Sequence, residues 1–222
     1  MAGAERAERT DRDRIMTAAW DVLGRTSYEN LKVQAVIRSA GVSARGFYRQ
    51  FSGKQELVAE LLRVELRRAT AILDQLTASG TPEQRVRAWV DGVVSLAYGH
   101  RAGPRARWFT SLPHEILELL DDRPRECRTA APLEAAIADG AASGVFPTAD
   151  PHRDALFVEQ LCSSFGRAGV DALGENREVG VTYVAEFVLA ALTNPARHAV
   201  AHASDEPHIT PSTINAVIRS SS

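Results

Sequence analysis

The sequence predicts an all-α fold. Apolar residues recur at spacings of three and four along most of the chain, the period of one helix face. Alternating β-branched runs bounded by turn residues, the mark of strands, do not occur, and Ala and Leu are abundant. The 222 residues have room for one large domain or two small ones. With 45% hydrophobic and 24% charged residues, the composition excludes collagen-like, mucin-like and wholly disordered chains.

The elements follow in order. Thr10, with Asp13 three residues on, reads as an N-cap and its acidic partner, so the first helix is expected to start there. Ile15, Ala18, Ala19, Val22 and Leu23 form its apolar stripe, and Gly24 ends it. A second, short helix is expected from Lys32 to Ala40, with Val33, Val36, Ile37 and Ala40 on one face. Gly41 follows, and glycine tolerates the positive φ of a tight turn. Ser43 is a good N-cap for a third helix over Ala44 to Gln50, whose inner face takes Phe47 and, four residues on, Phe51. Ser52 is expected to cap a fourth helix, about 53–77, with Leu57, Leu61, Val64 and Ala71 as its stripe.

Pro82 suits the first position of a fifth helix reaching about Tyr98. Residues 101–107 read as a basic loop, and Trp108 to Leu120 as a helical patch interrupted by Pro113. Leu133, Ile137 and Ala141 mark another helix, closed by Gly144 and Pro147. Asp150 and Pro151 open a long helix through Phe157, Leu161 and Phe165 to about Leu173. The last strong helix runs from Arg177 to Leu192. Three segments are expected: 1–53, 54–194 with helix four as the link, and a loose polar tail over 195–222.

Two cysteines, Cys127 and Cys162, make no disulfide framework and fit a reducing compartment as buried, inert thiols. Residues Met1 to Arg14 lack the apolar core of a signal peptide, and no run of about 18 apolar residues occurs. A cytoplasmic protein without a membrane partner is expected. His198 and His202 are four apart but follow Pro195 and lack a third ligand, so no metal is expected. Nucleophile-elbow, Walker and dinucleotide-binding motifs are absent, so neither an enzyme nor a cofactor is expected.

The net charge of −2 conceals an uneven distribution: +4 over residues 1–68 and −6 over the remainder. Residues 30–55 hold Lys32, Arg38, Arg45, Arg49 and Lys54 and no carboxylate. A phosphate backbone selects that pattern. Two short helices joined by Ala40-Gly41-Val42-Ser43 fit a helix-turn-helix, which lays its second helix in the major groove. On that helix Arg45 lies where side chains meet base edges, and its fork suits guanine. If Phe47 faces the core, Tyr48 points roughly 100° around the helix, toward DNA. Ala44 and Gly46 are small enough for close approach, and Lys54 opens the fourth helix, where free N–H groups attract phosphate.

The pattern Val33-x-x-Val36-Ile37-x-x-Ala40-Gly41-Val42-Ser43-x-x-x-Phe47-Tyr48-x-x-Phe51-x-x-Lys54-x-x-Leu57 resembles the DNA-binding segment of TetR-family (TetR/AcrR-type) transcriptional regulators, over about residues 10–62. The chain departs from the family pattern at Lys32, where Ser or Thr is common, and at Gln50, where His is common. The expected DNA contacts are Lys32, Ser43, Ala44, Arg45, Gly46, Tyr48, Arg49, Gln50 and Lys54.

The resemblance also implies a homodimer on a palindromic double-stranded operator, with repression as the expected sign. It implies a C-terminal domain that dimerises and binds a small-molecule effector. Gly166, Ala168, Gly169 and Ala172, with Ala185, Ala190 and Ala191, would allow close approach of partner helices. Trp89, Val93, Leu96, Trp108, Phe109, Phe157 and Gln160 are expected to line a pocket for an apolar or aromatic effector. The alternative is an all-α small-molecule-binding protein whose helix-turn-helix is structural.

Overall fold

The computed structural model describes residues 2–98, 116, 118–120, 127–168 and 177–198. Eight α-helices and no strand occur among them. They are α1 (Ala2–Leu23), α2 (Val33–Ala40), α3 (Ala44–Gln50), α4 (Lys54–Leu76), α5 (Pro82–Tyr98), α6 (Ala131–Ala142), α7 (Pro151–Ala168) and α8 (Arg177–Thr193), followed by a 3-10 turn, Pro195–His198.

Local chemistry explains most boundaries. The Ser43 hydroxyl accepts the Gly46 N–H at 3.0 Å and starts α3. Gly41 ends α2 at φ +62, the left-handed region that favours glycine. Before α5, Thr81 and Gln84 form a reciprocal capping box: the Thr81 N–H donates to Oε1 of Gln84 (2.9 Å), and the Gln84 N–H to Oγ1 of Thr81 (3.3 Å). At α7 the Asp150 N–H donates to the buried Asp154 carboxylate (3.0 Å), and the Arg153 N–H to Asp150 (3.1 Å).

Two expected boundaries move. Helix α1 begins at Ala2, so Thr10 lies inside it and is no cap; Ala, Glu and Arg dominate residues 2–9 and favour helix. Ser52 does not cap α4 through its hydroxyl. The N-cap is Gly53, and the Ser52 N–H donates to Glu56 at 2.6 Å. That bond holds the Glu56 carboxyl below the usual carboxylate range.

The buried apolar residues form two clusters. One, the head, joins Ile15, Ala19, Val36, Ile37, Phe47, Phe51, Leu57 and Leu61. The other, the body, surrounds α5: Val86, Trp89, Val90 and Val94 meet Leu133 and Ile137 of α6, Val158 of α7, and Val184, Val188 and Leu192 of α8. Helix α4 serves both, giving Leu57 and Leu61 to the head and Leu73 to the body. Its inner face is the expected one at Leu57 and Leu61 but not further along. Val64 is 39% exposed and Ala71 is exposed, while Leu62, Thr70 and Leu73 are buried, because the helix passes from one core to the other along its length.

One residue crosses between the regions. Ile116, far along the chain, is fully buried in the head cluster. Beside it, Arg63 of α4 donates to the Leu119 carbonyl at 2.9 Å, and the Cys127 thiol meets the Arg63 carbonyl at 3.7 Å. The Cys162 thiol is pushed up to about 12 by burial, with Glu159 adding to the effect. It is an inert thiol.

No helix among the described residues is long and apolar enough to cross a membrane. Of the expected tail, 195–198 form the 3-10 turn that includes His198; His202 lies outside the described residues.

Candidate nucleic-acid interface

The head positions its polar residues by burying its aromatic ones. Phe47 and Phe51 are fixed in the core, with ring centroids 5.8 Å apart. Tyr48, next on α3, is then turned outward. It is 54% exposed, and its ring stands edge-on to Phe47 at 5.3 Å. Ser43, Ala44, Arg45 and Arg49 are exposed, and Gln50 is half-buried. Ala44, Arg45 and Tyr48 thus extend one accessible surface along a helix whose start is fixed by the Ser43 cap.

Lys32 stands at the N-cap of α2 in extended backbone and offers no side-chain acceptor, as expected for lysine. Its ammonium is exposed and, like the guanidinium groups of Arg38 and Arg45, makes no ion pair among the described residues. Arg38 was not among the expected contacts, although the acid-free run of sequence contains it. The cations of α1 and the middle of α4 behave differently. Glu60 gathers Arg12 (3.1 Å), Arg63 (3.3 Å) and Arg67 (3.7 Å), and Asp11 holds Arg14 at 3.5 Å. Arg12 also lies 4.7 Å over the Phe51 ring, and Arg14 donates to the Gly41 carbonyl at 3.0 Å.

Two expected contacts are placed otherwise. Gly46 is buried and faces inward. A Cβ there would meet the Ser43 hydroxyl at 3.3 Å and the Asp11 carboxylate at 3.7 Å, so its small size serves the packing of α3 on α1. Lys54 is half-buried, and its ammonium donates to the carbonyls of Tyr28 (2.9 Å) and Glu29 (3.4 Å).

The expected effector residues scatter. Trp89 is fully buried, and its indole N–H donates to the Thr129 carbonyl at 2.8 Å, so it is core. Val93 and Leu96 are half-buried against the body core. Phe157 (65% exposed) and Gln160 lie on the outer face of α7. Helical spacing gave them a common face, but α7 turns that face outward and buries Ala155, Val158 and Cys162. Trp108 and Phe109 lie outside the described residues.

The small residues expected at a partner helix are also redistributed. Ala185 is buried within the chain, Ala191 is half-buried and Ala190 is exposed. Only the helical backbone is described at Gly166 and Ala168 of α7, and residues 169 and 172 lie outside the described residues. Exposed instead are large apolar side chains: Phe157 and Leu161 on α7, and Val179, Tyr183 and Phe187 on α8.

Residues 15–61 match the family described as "Bacterial regulatory proteins, tetR family". Comparison with curated proteins finds no match. Among solved structures, the fatty acid degradation regulator FadR from Bacillus halodurans shares 17% identity at a TM-score of 0.60, covering 82% of this chain and 96% of that one. FadR from Bacillus subtilis, in complex with stearoyl-CoA, shares 15% at 0.61, covering 82% and 97%. RolR, in complex with resorcinol, shares 16% at 0.63, covering 93% and 100%. At these identities the structures establish the fold alone, and residues 15–61 match the tetR family of bacterial regulatory proteins in the segment that holds the helix-turn-helix.

Proposed function

We propose that the protein is a transcriptional repressor that binds a palindromic operator as a homodimer and is released by a small apolar or aromatic effector. The carrying observation is the division of the head's cations. Among the described residues Lys32, Arg38 and Arg45, on and beside the helix-turn-helix, have no ion pair, while Arg12 and Arg14 of α1 and Arg63 and Arg67 of α4 are paired with Glu60 and Asp11. Bare cations around a short exposed helix suit a polyanion, and α3 supplies Arg45 and Tyr48 to read base edges. Expected contacts are Lys32, Arg38, Ser43, Ala44, Arg45, Tyr48, Arg49 and Gln50.

The dimer reading is supported by the apolar stripe on α8, where Val179, Tyr183 and Phe187 recur every four residues and stand 64, 66 and 57% exposed. Phe157 and Leu161 form a similar stripe on α7. Exposed apolar patches of this kind mark interfaces, and a two-fold axis would pair the same surfaces from each subunit. For the effector, stearoyl-CoA and resorcinol in the two structural neighbours support an apolar or aromatic class.

Fluorescence anisotropy with duplexes selected from a random pool tests the reading. Binding should weaken steeply with salt, and Arg45→Ala should cost about 1–3 kcal/mol at one base position. No binding by the pure protein at low salt would sink it. Light scattering should find a dimer that Phe187→Glu dissociates. A thermal-shift screen of acyl-CoAs and phenols should find a stabilising member.

A further inference from the structure

We propose that the Asp11–Arg14 pair of α1 is a positioning clasp for the helix-turn-helix: the arginine holds the turn, and the carboxylate holds the first turn of α3. The proposal rests on the DNA-binding reading above. The two side chains meet at 3.5 Å, three residues apart on α1, and each faces one glycine of the motif. Nη2 of Arg14 donates to the Gly41 carbonyl at 3.0 Å, and a Cβ at Gly41 would stand 2.9 Å from that same nitrogen. Oδ2 of Asp11 lies 3.7 Å from where a Gly46 Cβ would be. Gly41 is thus needed twice, for its φ of +62 and for the approach of Arg14.

The two oxygens of Asp11 face different partners: Oδ1 meets Arg14, and Oδ2 faces α3. Helix α3 has no acid in its own first turn. A carboxylate near a helix start is stabilising, yet on the exposed side of a DNA-reading helix it would repel phosphate. Asp11 brings that charge to the buried side of α3 from a neighbouring helix, with Arg14 beside it to offset the charge. The Asp11 side chain is 28% exposed and that of Arg14 49%. One ion pair on α1 therefore fastens both ends of the link between α2 and α3, at the Gly41 carbonyl and at Gly46. It sets the direction in which α3 presents Arg45 and Tyr48.

Charge and positioning predict opposite signs at Asp11. By charge alone, removing a carboxylate beside a DNA-reading helix tightens binding to every sequence. Loosening a clasp weakens the preferred sequence and spares the rest. Wild type, Asp11→Ala, Arg14→Met and Arg14→Lys are compared on a duplex selected by the wild type from a random pool and on a scrambled duplex. Thermal unfolding first establishes which variants are folded at the assay temperature. Asp11→Ala and Arg14→Met should each bind the selected duplex roughly tenfold more weakly, the size of one misread base pair, and the scrambled duplex almost as before. Their slopes of log affinity against log salt should be unchanged, whereas a lost phosphate contact lowers the slope by about 0.9 on both duplexes. Arg14→Lys keeps the charge without the planar fork and should recover only part of the discrimination.

Equal or tighter binding of the selected duplex by folded Asp11→Ala overturns the clasp. So does a flattened slope with equal losses on both duplexes in Arg14→Met. Should either variant not fold, Arg14→Lys decides: reduced discrimination between the duplexes supports the clasp, and wild-type discrimination overturns it. Failure of the wild type to bind either duplex is a separate result: it removes the DNA reading itself, and the clasp's role with it.

Discussion

Head and body leave different things uncovered. In the head, Lys32, Arg38 and Arg45 have no carboxylate partner among the described residues, while the large aromatics Phe47 and Phe51 are buried. In the body Arg85 is paired with Asp139, Arg87 with Glu186, Arg128 with Glu134 and Arg153 with Asp150. What stands out there is apolar, from Phe157 on α7 to Tyr183 and Phe187 on α8. Open charge suits a polyanion and open apolar area suits a protein surface, so the two regions present different chemistry to their surroundings. Yet they are not independent, because Ile116 belongs to the head's core while lying beyond α5 in the chain.

The largest effects should come from emptying each core in turn. Phe47→Ala and Phe146→Ala should each cost about 3–5 kcal/mol in denaturant unfolding. Phe146 is fully buried against Gly140, and its N–H returns to the Gly140 carbonyl at 3.0 Å. Hydrogen exchange should rise in α1–α3 for the first variant and in α6 for the second. A uniform rise in both would show one cooperative unit and dissolve the distinction.

Ile116→Ala should follow, at about 2–5 kcal/mol. Its signature is loss of amide protection in α1–α4, remote in sequence from the substitution. Protection lost only around residue 116 would break the link between the regions.

Ser43→Ala should cost about 1 kcal/mol, the usual value for a lost N-cap. Because that cap sets the start of α3, operator affinity should fall along with thermal stability; affinity untouched at equal folding would separate the cap from DNA reading.

The smallest effect concerns Glu56, which accepts the Ser52 N–H at 2.6 Å. Its folded pKa lies below the ordinary 4.5, so its stabilisation is complete above that value and is lost as pH falls through the folded pKa. Glu56→Gln should therefore destabilise by roughly 0.5 kcal/mol at neutral pH, a capping-sized effect. The difference should shrink in acid below about pH 4, and a constant difference across that range would assign it to packing.

The head was largely legible in the sequence because its signals are short-range. Gly41, the Ser43 cap and the Phe47–Tyr48 step each depend on neighbours within a few residues, and each appears as expected. Where the head's side chains are held otherwise than expected, the residue type serves two purposes. Gly46 could admit a groove or a helix, and it admits α1; Lys54 could reach phosphate or carbonyl, and it holds Tyr28 and Glu29. In the body the helices were legible from Pro82, Pro151 and the apolar spacing. Their facing was not. Phe157 and Ala185 carry the same periodic signal as their neighbours, yet one points out at 65% exposure and the other is 4% exposed in the core.

By itself, then, the sequence determined the helical fold, the turn and cap of the helix-turn-helix, and the concentration of positive charge about it. These depend on backbone propensity, local hydrogen bonds and composition, which act over one or two helical turns. Only the tertiary structure decided which cations are paired, which apolar faces turn outward, and that Ile116 completes a core otherwise drawn from residues 15–61. Such choices follow from burying area across helices distant in the chain, and one periodic pattern fits several packings until a neighbour fills one of them.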